Sequence, residues 1–312
     1  MNTPFHSLTT PPAEGDLDFW RVRSLLVETY PITPLGFNWD TRRWEGQRFY
    51  AAEPDWESRL AGRVQLWETG DGRLVGAVNP EGDKGEAHLQ VHPAFRYIEP
   101  EMVAWAETNL AVLAENKTQC QLDLFVYEYD EPRQRLLTKL GYQKMPFGGV
   151  ARRLYCTNQP LAVPVIAPGY MLRTTRPDDL TDCQRIADLL NAAFERNFHN
   201  ALEYQNFTRL APSFRPQLDL VAVASDETFA AYVGIPYDEA NRRGIFEPVC
   251  THPEHRRRGL ARALMLEGLH RLRTLDATEV TVETGDMIPA NRLYESVGFT
   301  EVCKGYIWRK SF

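Results

Sequence analysis

Between Tyr170 and Phe312 the period of the apolar residues changes several times, and each change marks an element. Tyr170–Arg176 reads as a strand, Pro177 opens a helix that turns Cys183, Ile186, Leu189 and Leu190 inward, and Leu218–Ala224 alternates as a second strand. Thr228–Ile235 and Gly244–Thr251 are two further strands, and the polar PYDEANRRG between them predicts that they run antiparallel. From Arg258 to Leu275 the apolar or small residues Ala261, Leu264, Met265, Gly268, Leu272 and Leu275 recur at helical spacing, leaving Arg262, Glu267, Arg271 and Arg273 toward water. Glu279–Glu283 is then a short strand, Pro289–Val297 a short helix stopped by Gly298, and GFTEVCKGYIWRK supplies one or two last strands. The predicted order is β, α, β, β, β, α, β, α, β, a mixed α/β pattern. Pro248 has no N–H to give a central ladder, so the strand Gly244–Thr251 is expected to leave its neighbour there and splay the sheet.

The first half of the chain echoes the second. VHPAFR (Val91–Arg96) matches THPEHR (Thr251–Arg256), and LLTKLGYQK from Leu136 matches LYESVGFTE from Leu293. Pro93 and Pro253 are 160 residues apart and Gly141 and Gly298 are 157 apart, so two matches share nearly one offset. That predicts a duplicated domain. The proline-rich CTNQPLAVPVIAPG, residues 156–169, reads as the linker between a unit over 1–155 and a unit over 170–312. A length of 312 residues agrees with two domains, each able to bury its own core.

Composition narrows the class. Hydrophobic residues are 43% and charged residues 25% of the chain, and no apolar run approaches the roughly 20 residues that span a bilayer. The N-terminus lacks a basic start followed by an apolar core, so the expected compartment is the cytoplasm and no membrane partner is expected. Five scattered cysteines without a C-x-x-C pair argue against disulfides and a zinc site, and His88 and His92 are about 13 Å apart on a strand, too far for one metal. No metal is expected, and the two histidines read as surface residues. Acids outnumber bases 42 to 35, for a net charge of −7, which speaks against nucleic acid as the main partner.

Against that acidity, EHRRRGLAR stands out as a local anion site. It follows a strand and opens the longest helix of its unit, so the first N–H groups of that helix are unpaired and the dipole adds positive charge. Gly259 allows an anion to approach the backbone, Ala261 keeps the next turn uncrowded, and arginines close from outside, a fit for a pyrophosphate. His252 and His255 flank the turn as solvated residues or further donors.

PEHRRRGLA (Pro253–Ala261), followed downstream by ANRLYESVGF (Ala290–Phe299), resembles the coenzyme A signature of the GCN5-related N-acetyltransferases. The resemblance covers Tyr170–Phe312 and, more weakly, Phe5–Tyr155. It implies two tandem acyl-CoA N-acyltransferase domains, each a splayed, mostly antiparallel sheet flanked by helices. It also implies acetyl-CoA as cosubstrate and a small-molecule amine as acceptor. Cofactor contacts implied by the family fall on Val249, Cys250 and Thr251 of the strand and on Arg256, Arg257, Arg258, Gly259, Leu260, Ala261 and Arg262 of the turn. The tyrosine before the E-x-x-G-F run is Tyr294. Met287 stands where the family often has an asparagine, and Asn291 is the alternative polar contact.

Such a transfer needs a proton acceptor for the amine and a donor for the departing thiolate. Tyr294 fits the donor, and Glu247 and Glu283 compete as base. In the first unit Glu99 and Glu101 replace Gly259 and Ala261, and Leu137 replaces Tyr294, so this copy is expected to be degenerate. Its FNWDTRRWEGQRFY (Phe37–Tyr50) reads either as a cover over the acceptor cleft or as a partly buried helix. Two other readings are a mycothiol-synthase-like acetylation of an aminosugar conjugate and a non-catalytic acyl-CoA sensor.

Overall fold

The computed structural model describes residues 8–52, 56, 62–114, 118–156 and 160–312. In chain order the first elements are β1 (Leu8–Thr9), α1 (Gly15–Thr29), α2 (Thr41–Phe49), β2 (Gln65–Thr69), β3 (Leu74–Pro80), β4 (Glu86–Val91), α3 (Glu99–Asn109), β5 (Val112–Leu113), β6 (Cys120–Tyr127), α4 (Glu131–Lys139) and β7 (Gln143–Tyr155). Then come β8 (Tyr170–Thr174), α5 (Leu180–Phe194), α6 (Ala201–Leu210), β9 (Asp219–Ala224), β10 (Phe229–Gly234), β11 (Tyr237–Asp238), β12 (Arg243–Ile245), β13 (Val249–Thr251), α7 (Leu260–Thr274), β14 (Glu279–Gly285), α8 (Ile288–Val297) and β15 (Glu301–Ser311). Among the described residues no helix is long and apolar enough to cross a membrane.

The chain divides into two compact units, but not by one cut at 156–169. Unit 1 is Met1–Thr41, Asp55–Val150 and Cys303–Phe312; unit 2 is Arg42–Pro54 and Ala151–Val302. Residues 157–159 of the expected linker lie outside the described residues. Both exchanges have a physical cause. β15 adds a ladder to β6, from Gly305 opposite Tyr127 to Ser311 opposite Gln121, so the last strand completes unit 1. Arg309 grips Asp123 with two hydrogen bonds of 2.6 and 2.7 Å, and Trp308 is buried in that unit's core. In return, the segment after Thr41 is tied into unit 2. Asn206 donates to the Ala51 and Ala52 carbonyls at 2.8 and 3.3 Å, and the buried Glu45 carboxylate accepts from the Ser213 N–H and hydroxyl.

Unit 2 contains the opened sheet that Pro248 predicts. β12 pairs in parallel with β14, whereas β13 pairs antiparallel with β10, opposing Val249 to Val233 and Thr251 to Ala231. The chain changes sheets between them. The Phe246 N–H still donates to Thr281 at 2.9 Å, but the Glu247 N–H goes to Gly234 at 3.0 Å and the Pro248 carbonyl accepts from Gly234 at 3.1 Å. β13 then ends the four-strand order β13-β10-β9-β8, so among the described residues one edge of its backbone has no neighbouring strand in that sheet.

α7 covers this seam. Leu264 and Leu272 are fully buried, a contribution of about 1.5–3 kcal/mol each. At Gly268 a Cβ would run into Ile235 and Phe246, so the helix backbone rests close on the sheet. Two local readings shift. α5 starts at Leu180 rather than Pro177 because Asp179 caps it, accepting from the Thr181 N–H at 2.9 Å. α6, opened by an Asn200–Glu203 capping box, lies in a segment to which the sequence pattern assigned no element.

Unit 1 has the order β1-β2-β3-β4-β6-β15, with β5 also on β6. His88 and His92 are not plain surface residues. His88 stacks on Trp39 with centroids 4.6 Å apart and its side chain is 13% exposed, and His92 accepts from the Ala94 N–H at 3.2 Å. At the turn that parallels Gly259, Glu99 is buried and holds Arg96 at 2.7 Å and Arg133 at 3.2 Å, while Asp130 takes the other side of Arg96 at 2.7 Å. Glu101 accepts from the Trp67 indole at 3.1 Å. Burial alone raises the Glu99 pKa, but the Arg133 charge and the hydrogen bonds from Arg96 and Arg133 outweigh it and hold the carboxyl below its ordinary value. This contribution to stability is complete above the unfolded carboxyl pKa of about 4.3 and is lost as the pH falls through the lower folded value. Glu99→Gln is expected to cost about 3–5 kcal/mol at pH 7, with the gap to wild type closing below about pH 4. Denaturant midpoints across that pH range check it.

Candidate active site

The turn between β13 and α7 shows how the basic residues are presented. Gly259 is the N-cap of α7 in the left-handed region (φ 74°), and no side chain caps the helix. A Cβ at Gly259 would meet nothing within 4 Å. The first N–H groups of α7 therefore face open space, with Arg256, Arg257 and Arg258 exposed around them. Arg256 leans on the Ala193 carbonyl at 3.2 Å, and Arg258 stands 5.7 Å over the Tyr170 ring. His255 is not simply solvated, because its Nδ1 bonds the Tyr170 hydroxyl at 2.8 Å. Leu260 turns into the core, so it offers backbone only, whereas Ala261 and Arg262 are half-buried. An uncapped helix start, a left-handed glycine with space above it and three exposed guanidiniums fit a pyrophosphate.

On β13, Val249 and Thr251 are half-buried and Cys250 points into the core. Burial pushes the Cys250 thiol up to about 12, so it is unreactive at neutral pH. Tyr294 on α8 is 5% exposed, its ring 6.1 Å from Phe299 at a steep angle. Burial, then the Glu247 and Cys250 charges, push its phenol up to about 12. Asn291 does not project toward the turn. Its amide donates to the Gly285 and Met287 carbonyls at 3.2 and 3.0 Å, and its oxygen accepts from Arg152 at 3.0 Å. Arg152 also reaches Glu295 at 2.8 Å and the Phe299 carbonyl at 3.3 Å, and so fixes α8 and with it Tyr294.

The two candidate bases are brought together. Arg43, on α2, lies 3.8 Å from a Glu247 oxygen and 3.9 Å from a Glu283 oxygen, offsetting their mutual repulsion. All three side chains are about a quarter exposed. Arg43 was legible only as part of an arginine-rich stretch. The sequence reading also misses Asp219. This fully buried carboxyl accepts from Tyr232 at 2.6 Å and from the hydroxyls of Thr175 and Tyr204. Burial raises its pKa against the pull of those donors. A lone aspartate opening the apolar strand DLVAVA has no local signal, because its partners come from three other segments.

With this geometry in view, comparison with known proteins places the second unit. Residues 183–299 match the Acetyltransferase (GNAT) family. No curated protein matches the chain. Among solved structures, a GCN5-related N-acetyltransferase from Sphaerobacter thermophilus shares the fold with a TM-score of 0.63 at 19% identity, over 97% of this chain and 95% of that one. A tandem GNAT protein from the clavulanic acid biosynthesis pathway gives a TM-score of 0.66 at 19% identity, covering 98% of both chains. Residues 183–299, within unit 2, thus match the GNAT family, and the chain as a whole shares the fold of these two proteins.

Proposed function

We propose that unit 2 is an acetyl-CoA-dependent N-acetyltransferase for the primary amine of a small molecule. The observation that carries the reading is the switch of sheets at Phe246–Pro248, which exposes one edge of β13 beside two carboxylates and just before an uncapped helix start. In this reading the backbone of Val249–Thr251 holds the pantetheine arm and acetyl group. The N–H groups of Gly259–Ala261, with Arg256, Arg257, Arg258 and Arg262, hold the pyrophosphate. Coenzyme A supplies an activated thioester. Glu247 takes the proton of the acceptor amine, directly or through water, with Glu283 the competing base. The amine nitrogen bonds the acetyl carbon as the carbon–sulfur bond breaks, and Tyr294 supplies a proton to the sulfur. The products are an N-acetyl amine and free coenzyme A.

A screen of amines with acetyl-CoA, read by thiol release and by product mass, tests this; a sensor without turnover releases none. We further propose that unit 1 is a degenerate copy, since the carboxylate of Glu99 fills the place of the anion with its own arginine pairs. Calorimetry is accordingly expected to give one coenzyme A per chain. Two comparable sites would contradict the assignment.

A further inference from the structure

The two candidate bases share a cation, and that cation bears on the charge of the acceptor. β12 and β14 run parallel with Ile245 opposite Thr281. Two residues on, the same register brings Glu247 toward Glu283 on the same face. Neighbouring carboxylates repel, and Arg43 offsets them: its Nε lies 3.8 Å from a Glu247 oxygen and 3.9 Å from a Glu283 oxygen. Both distances exceed the roughly 2.7–2.9 Å of a charge-assisted hydrogen bond, so this nitrogen stands between the two acids and is committed to neither.

The helix fixes where this guanidinium stands. Glu45 ties α2 to Ser213, and Asn206 holds the Ala51 and Ala52 carbonyls just beyond its end, all within unit 2. Arg42, one position earlier and about 100° around the helix, has its guanidinium carbon 4.3 Å from the Phe207 ring centre, so it is Arg43 that faces the carboxylates. Two acids and one guanidinium leave a net charge of −1 beside β13. One acceptor ammonium neutralises that charge and, on giving a proton to a carboxylate, becomes the nucleophile. A second ammonium on the same small molecule meets Arg43, a like charge, where the acid pair alone would have held it.

Resting on the acetyltransferase reading, we propose that Arg43 is a specificity-determining residue that limits the acceptor to small amines of a single positive charge, its guanidinium taking the place of a second ammonium. Small diamines are the class it turns away.

The test uses the full chain with acetyl-CoA and two matched pairs, 1,3-diaminopropane against 3-aminopropan-1-ol and 1,4-diaminobutane against 4-aminobutan-1-ol. The members of a pair are equal in length and differ in the second charge. Turnover is read by thiol release, and binding to the coenzyme A complex is read by calorimetry. Wild type is expected to favour the amino alcohol, per amino group, by at least about fivefold, the low end for like charges about 4 Å apart and screened by water. In Arg43→Gln both classes are expected to bind more tightly, the diamines more so, and the ratio falls to one or reverses through KM. Arg43→Lys keeps the charge and is expected to hold the wild-type order. A merely structural role for Arg43 would weaken both classes alike and leave the ratio in place, which overturns the proposal. Equal or diamine-favouring use by wild type overturns it without any variant, while leaving acetyl transfer standing. Charge-selective binding without turnover supports the role of Arg43 and refutes acetyl transfer. Binding of neither class overturns the placing of the acceptor beside these carboxylates, and the proposal with it.

Discussion

Tyr294→Phe is expected to lower kcat by about a hundredfold to ten-thousandfold while leaving coenzyme A affinity nearly unchanged. The substitution keeps the ring against Phe299 and removes only the hydroxyl, so ground-state binding has little to lose. At first sight a phenol near 12 is a poor acid for a thiolate whose ordinary pKa is about 8.5, an uphill gap worth roughly 5 kcal/mol. The same burial acts on any thiolate formed beside it, however. Burial raises the pKa of a thiol as it raises that of a phenol, which narrows the gap. The high value also keeps Tyr294 protonated well past neutrality, and no alkaline loss of kcat from this group is expected below about pH 11. Turnover and coenzyme A affinity measured on one preparation check both points. Full activity in the variant removes Tyr294 from the mechanism, and lost binding with normal turnover at saturation reassigns it to positioning.

Gly259→Glu is expected to remove measurable coenzyme A binding. A carboxylate about 4 Å from the pyrophosphate costs between about 1 and 4 kcal/mol, depending on how much water screens it, or roughly fivefold to a thousandfold. The left-handed backbone adds strain, since φ is 74° at this position. Gly259→Asn separates the two effects, because asparagine tolerates that backbone and brings no charge. Calorimetry on folded variants is expected to show modest weakening for asparagine and loss for glutamate. Unchanged affinity in a folded Gly259→Glu protein would place the pyrophosphate elsewhere.

The residues whose placement was foreseen share one property: their signal is local. The helix after Gly259 follows from apolar spacing, a basic turn and a glycine within one short stretch, and α7 begins one residue past that glycine. The divergence at Pro248 follows from one missing N–H, and β12 and β13 do part company there. Glu99 and Glu101 differ from Gly259 and Ala261 of the matching turn, and Glu99 pairs there with Arg96 and Arg133.

What the sequence by itself determined is therefore the period of each element, the turn chemistry and the duplicated pattern, because sterics and backbone hydrogen bonding act between near neighbours. Only the tertiary structure decided which unit each distant segment joins. GFTEVCKGYIWRK reads as the last one or two strands of the second unit, whereas the Asp123–Arg309 pair and the ladder with β6 assign most of it to the first. Arg42 and Arg43 read only as part of a stretch that either covers the acceptor cleft or forms a partly buried helix, until Glu45, Ser213 and Asn206 draw that helix into the second unit and set one guanidinium by Glu247 and the other on Phe207. Contacts across such separations depend on burial and partner geometry, which no periodicity along the chain encodes.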